Sequence, residues 1–406
     1  MLSRWRRTGA VAAILLGITT SALMQTMLAT AMPQIVTELG GDALYGWVFT
    51  AYLLGATLTL PIFGQLADRW GSRPVYLFGV GLYAVGTALT ALSPTMGLLV
   101  ASRTVQGLGA GALVPAALAG VARISAGRRG RGSLFGFIGI IQVVANIAGP
   151  LVGGWFTDGP GWRWSLWLVV PFAVAAAVLA VLSFTPDGEL QLVPALRSVA
   201  PLEPMRQLQA QPALRSATAG AFALGVVLVS ATALVPLLAQ MGMGRSASEA
   251  GAVLAPLMVG VGVGSMVGGR LVGRVGHLTI LLAWLLIALG SVGLAIISTQ
   301  AQAGGSLGWA MGSAAVVGVG IGSIQPILLI RSQEAAAADQ VAAAGALVPF
   351  ARNLGGAAGT AALGLVVLAP DLRVGLAWAF SVLAAVAVAA VIGLRWRPEA
   401  DARLAT

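Results

Sequence analysis

The 406 residues contain no cysteine and no lysine, and histidine occurs once, as His277. Without cysteine there are no disulfides, thiolate metal sites or thiol nucleophiles. Without lysine there is no Walker loop, which excludes bound ATP as an energy source. A single His277 cannot build a histidine cluster, so neither metal nor cofactor is expected. Charge is scarce as well: 9% of residues are charged, against about a quarter in soluble globular chains. A chain that is 58% hydrophobic cannot cover its surface with polar groups, and its solvent must be lipid.

What the chain has in abundance is long apolar runs. They fall at 9–31, 44–64, 75–92, 96–121, 133–156, 164–184, 217–241, 247–269, 277–298, 306–330, 341–368 and 374–394. Runs of this length in lipid must be helices, because a barrel would need short alternating strands. The expected fold is an all-α polytopic membrane protein with twelve transmembrane helices in two six-helix halves. Of the 23 arginines, 18 fall in the segments that are cytoplasmic if both termini are, while Arg163, Arg245 and Arg373 fall outside and Arg103 and Arg352 lie within spans. This bias orients the chain with both termini cytoplasmic in a cell membrane, the inner or plasma membrane. In a soluble protein the net charge of +10 would suggest nucleic acid; here it retains loops on one side, and no nucleic-acid partner is expected. Arg4 to Arg7 followed by an apolar stretch imitates a secretory signal, but the run is too long for a signal core and is read as an uncleaved span.

Residues 185–216 change character, with five prolines interleaved with Asp187, Glu189 and Glu203. They are expected to be a cytoplasmic linker between halves 1–184 and 217–406. The loop Gly64-Gln65-Leu66-Ala67-Asp68-Arg69-Trp70-Gly71-Ser72-Arg73 recurs as Gly269 to Leu278, with Gly, Leu, Arg and Gly matching at an offset of 205. Internally repeated six-span halves are what an alternating-access carrier shows. Apart from Glu249 and His277 at the very ends of their runs, the spans hold no acid, histidine or cysteine, which argues against a membrane-embedded enzyme.

These residues carry a family likeness. Gly64 to Arg73, Ala51-Tyr52-Leu53-Leu54 and Arg103 to Gly111 resemble signature segments of the major facilitator superfamily. Ala145-Asn146-Ile147-Ala148-Gly149-Pro150-Leu151-Val152-Gly153-Gly154 resembles the exporter motif of its span five, with Ala145 at the first glycine. Trp162-Arg163-Trp164 and Phe350 to Gly356 extend the likeness to the multidrug and metabolite efflux branch, much of which has fourteen spans rather than twelve. The resemblance implies a small, lipophilic substrate, a monomer in the bilayer, and protons as the coupling ion.

Residue chemistry adds candidate sites. Asp68, in the loop containing Arg69 and Arg73, can clasp a helix N-terminus or an arginine such as Arg123 and lock one access state, or stand as a solvated carboxylate. Gly149-Pro150 permits a kink, and Gly149, Gly153 and Gly154 admit a close helix neighbour. Arg103 is a charge inside the membrane and is expected to face the cavity in a polar layer with Gln25, Thr26 and Asn146, or else to bond backbone carbonyls structurally. Tyr52, Gln106 and Gln142 in the first half, and Gln325, Arg352 and Asn353 in the second, complete the expected substrate cavity. Isolated polar residues in spans also serve simply as packing groups. The branch carries an aspartate in span one where this chain has Met24, and no other span carboxylate replaces it. Proton antiport is therefore expected to be weak or absent, leaving a facilitator or a carrier driven by the charge of its substrate.

Overall fold

The computed structural model describes residues 4–124, 131–184, 212–300, 307–335, 341–363, 366 and 369–393. A segment in lipid must satisfy its own backbone hydrogen bonds, and every regular element among the described residues is helical. In chain order these are α1 (Arg4–Leu39), a 3-10 turn (Asp42–Leu44), α2 (Tyr45–Trp70), α3 (Ser72–Ala91), α4 (Met96–Ile124), α5 (Arg131–Asp158) and α6 (Trp162–Ser183). Next come α7 (Pro212–Leu237), which ends in a π-turn (Leu238–Gly242), then α8 (Ala247–Gln300), α9 (Leu307–Glu334), α10 (Val341–Ala361) and α11 (Leu372–Gly393). The expected linker lies, for residues 185–211, outside the described residues.

Eleven stretches among the described residues are long and apolar enough to cross a bilayer. The remaining expected span is covered by α10, whose 21 residues rise about 31 Å. Large apolar side chains such as Leu58, Phe78, Leu289 and Trp378 point outward, as a lipid-facing surface requires.

The 54-residue α8 would be about 80 Å long if straight, far beyond a hydrocarbon core of about 30 Å. Its neighbours show that it doubles back. Gly260, Gly264 and Gly268 lie against Ala315, Val319 and Ser323 of α9 in rising order, while Ala283 and Gly290 meet Gly320 and Ser313 in falling order. These contacts put the reversal between Gly268 and Ala283, so the one long helix supplies two spans. The side chains of residues 272–277, including His277, are outside the described set.

The chain divides into two compact units, Met1–Ala200 with Ser246–Gly251, and Pro201–Arg245 with Ala252–Thr406. In the first, α4 packs on α2 and α3, and α1 packs on α5 and α6. Gly107 and Gly111 press on Tyr52 and Ala56 of α2, whereas Gly109, about 180° around the helix from a point midway between them, presses on Gly79 and Tyr83 of α3. Gly149 and Gly153 of α5 press on Thr26 and Thr30 of α1. The second unit repeats the pattern by itself: Gly318 and Gly322 of α9 press on Leu257 and Val261, Gly320 on Ala283, and Gly355 and Gly359 of α10 on Phe222 and Val226 of α7. With no hydrophobic drive between helices in lipid, close backbone approach at small residues supplies much of the cohesion.

Candidate functional site

Arg103 is fully buried, at 0% exposure. It shares the α4 stripe of Gly107 and Gly111, at i, i+4 and i+8, so it faces α2. Its Nε donates to the Val48 carbonyl at 3.2 Å, its Nη1 to the Gln106 Oε1, and its guanidinium lies 4.2 Å from the centre of the Tyr52 ring. Gln106 Nε2 donates in turn to Thr87 Oγ1 at 2.7 Å. Gly86 makes room for this turn, since a side chain there would overlap Gln106. From α1, Ser21 Oγ pairs with the Tyr52 hydroxyl at 3.0 Å, and Gln25 also bonds it. Tyr83, within electrostatic reach of Arg103, has a buried hydroxyl beside Ser21.

This corrects the expected polar layer. Arg103 is buried among α2, α3 and α4, on the stripe that meets α2. Gln25 is linked to it only through Tyr52. Thr26 is buried, bonds the carbonyls of Ala22 and Leu23 in its own helix, and packs on Gly149. Met24 is fully buried, and Gln106 has both ends of its amide engaged. Gln142 is exposed and Asn146 partly so, four residues apart on one face of α5. In the second unit, Gln325, Arg352 and Asn353 are partly exposed, and the Arg352 carbonyl abuts Gly225. A groove of about 300 Å³ beside α7 and α10 is lined mainly by apolar groups, with Arg215 and Thr218.

The loop motif is partly explained. Gly71 joins α2 to α3 at φ +85°, a conformation that favours glycine, and Arg73 Nη2 donates to the Val181 carbonyl of α6 at 3.1 Å. Among the described residues Gly64 meets only the Pro115 side chain, at ordinary contact distance. The side chains of Asp68 and Arg69 lie outside the described residues, and the expected clasp with them.

Two clusters at the other end of the first unit went unread in the sequence. Glu38 binds Trp162 Nε1 at 2.7 Å and pairs with Arg163, which also donates to the Ser93 carbonyl. At the start of α8, Asp158 accepts the amides of Ala247 and Ser248 at 2.9 and 2.7 Å, while Ser246 and Glu249 form a capping box. The Ser-x-x-Glu spacing was a visible signal; the partner at Asp158 had none. Gly154 and Gly251 let α5 approach this segment closely, at Ala247 and Pro150.

Residues 14–360 match the Major Facilitator Superfamily. The chain belongs to that family. It is 26% identical over 412 residues to the Multidrug transporter protein MdtP of Bacillus subtilis (strain 168), covering 89% of this chain and 75% of that one. To Multidrug resistance protein 3 of the same organism it is 28% identical over 309 residues, 64% of this chain and 60% of that one. Two mycobacterial transporters match at 39% over 180 residues, 26% of their length. A solved bacterial homolog of the human lysosomal transporter Spinster, in an inward-facing and unoccupied conformation, superposes with a TM-score of 0.71 over 99% of this chain and 96% of that one, at 18% identity, a likeness of fold. The protein is a multi-pass membrane transporter of this superfamily, and not an enzyme.

Proposed function

We propose that this transporter exports small amphipathic or hydrophobic compounds across the plasma membrane by alternating access. In this reading it works as a monomer with both termini cytoplasmic, its halves 1–184 and 217–406 rocking about the linker 185–216. The observation that carries export is the seating of α5: Gly149 and Gly153 against α1 and Gly154 against the start of α8 place the exporter-type segment at contacts rather than in a loop. The names of the Bacillus relatives support the same substrate class. Arg103, with Tyr52 and Gln25, is the proposed polar anchor of the first half, and Gln142 and Asn146 are proposed to line its cavity. Gln325, Arg352 and Asn353 are proposed to serve in the second half, and the Gly64 to Arg73 loop, with Asp68, as the gate. Expression in cells stripped of other efflux pumps should lower accumulation of lipophilic dyes and antibiotics; unchanged accumulation of every compound tested counts against export.

An uncoupled facilitator is the second reading, favoured by the buried Met24 and the lack of any carboxylate in the interior of the described spans.

A further inference from the structure

The groove beside α7 and α10 is separate from the residues proposed for substrate. Its α10 wall is the stripe of Phe350 and Leu354, and Arg352 stands about 200° around the helix from each. The two helices run in the same direction, since Gly355 and Gly359 meet Phe222 and Val226 in rising order. Position along them therefore gives depth. Arg215, in the first turn of α7 where its span begins, stands at the shallow end, while Phe222 and Leu354 close the deep end about 10 Å further in. Arg215 is exposed and makes no hydrogen bond or ion pair among the described residues. The Thr218 hydroxyl is spent on the Leu214 carbonyl and donates nothing into the groove. Phe222 and Leu354 are 38% and 40% exposed at a depth where the surroundings are hydrocarbon. A cation at the interface followed by an apolar channel into the bilayer matches the polarity of an acidic lipid, head first and chain behind.

We propose that this groove holds one anionic phospholipid, its phosphate on Arg215 and the upper part of one acyl chain between Phe222, Phe350 and Leu354. A volume of about 300 Å³ admits part of one chain, and the rest of the lipid stays in the bilayer. The site is independent of what is transported. Its assignment to the inner leaflet rests on the orientation proposed above, with both termini cytoplasmic.

The chain has no cysteine, so Ala358→Cys supplies a single thiol for a bimane label, one turn beyond Leu354 on the same exposed stripe. The labelled full chain is placed in phosphatidylcholine nanodiscs with a trace of phosphatidylglycerol or phosphatidylcholine carrying a nitroxide on the acyl chain. At equal mole fraction phosphatidylglycerol should quench about fivefold more, the preference that one arginine gives at an anionic head. The same label at the outward-pointing Leu289 should show no preference. Arg215→Gln should bring the ratio to one and Arg215→Lys should keep it. Ala219→Phe, which fills the groove from an exposed position, should abolish it too. Because Arg215 bonds to no described residue, the glutamine variant should unfold at the parent temperature in phosphatidylcholine alone. Equal quenching by both lipids at Ala358, an equal preference at Leu289, or a preference that survives Arg215→Gln would each overturn the proposal. So would its loss on adding glycerol phosphate at constant ionic strength, which marks a site for a soluble phosphate rather than a lipid.

Discussion

A guanidinium with no access to water must be compensated by what surrounds it, and Arg103 has a carbonyl, an amide oxygen and an aromatic face. Removing it leaves the Gln106 amide oxygen without its donor, while the Val48 carbonyl keeps its helical bond, and an orphaned buried acceptor costs about 1–3 kcal/mol. Arg103→Ala is therefore expected to destabilise the protein by about 2–5 kcal/mol as well as to abolish transport. Arg103→Lys should recover only part of each, because it keeps the charge without the planar fork. Thermal unfolding and expression-normalised efflux check both effects, and parental stability in the alanine variant would refute the buried network. Glycines of one motif should diverge in the same way. Gly71→Ala forces φ +85° on an L side chain and should cost about 1–2 kcal/mol, whereas Gly64→Ala, inside α2 with room for a methyl, should be neutral or gain up to about 1 kcal/mol. Unfolding temperatures of the two variants moving in the same direction would contradict this.

At the scale of the helix, the start of α8 has its leading amides accounted for: Ser246 by Glu249, Ala247 and Ser248 by Asp158, Glu249 by the Ser246 hydroxyl. Asp158→Ala orphans two of them at once, and a cap of this kind is worth about 0.5–2 kcal/mol. Amide exchange at Ala247 and Ser248 should quicken in that variant, while exchange in α3 stays as it was; unchanged exchange at α8 would show that water replaces Asp158 without loss. The spans themselves were legible, since run length and apolarity are all that lipid demands of a helix. Azimuth was not. Counting residues from the end of span four gave the depth of Arg103 but not the side it faces, which depended on Gly107 and Gly111 sharing its stripe against α2. That information was present in the spacing, yet it became readable only once α2 was known to be the neighbour. Asp158 was unreadable for another reason, because its partners lie 89 and 90 residues away and no local pattern announces them.

Across the whole molecule, the repeat seen as a loop offset of 205 reappears as matched glycine contacts in each unit, yet the halves differ in chemistry: the loop aspartate Asp68 aligns with Gly273. The same economy of charge governs coupling. Proton antiport needs a group in mid-membrane that gains and loses a proton on each cycle, and in α1 that position is Met24, fully buried and without a titratable atom. Arginine does not deprotonate in proteins, so neither Arg103 nor Arg352 can substitute. The carboxylates at the helix ends are engaged elsewhere: Glu38 with Trp162 and Arg163, Asp158 and Glu249 at the start of α8, Asp371 with the Arg373 amide. Substrate movement by purified protein in liposomes should therefore ignore an imposed pH gradient when the membrane potential is clamped, and a charged substrate should instead follow the potential when that is varied at constant pH. Uphill accumulation driven by the pH gradient, with matching proton flux, would refute this. It would direct attention to Asp42, exposed at the first residue of the 3-10 turn before α2, whose exchange for asparagine would then have to abolish the proton-driven component alone.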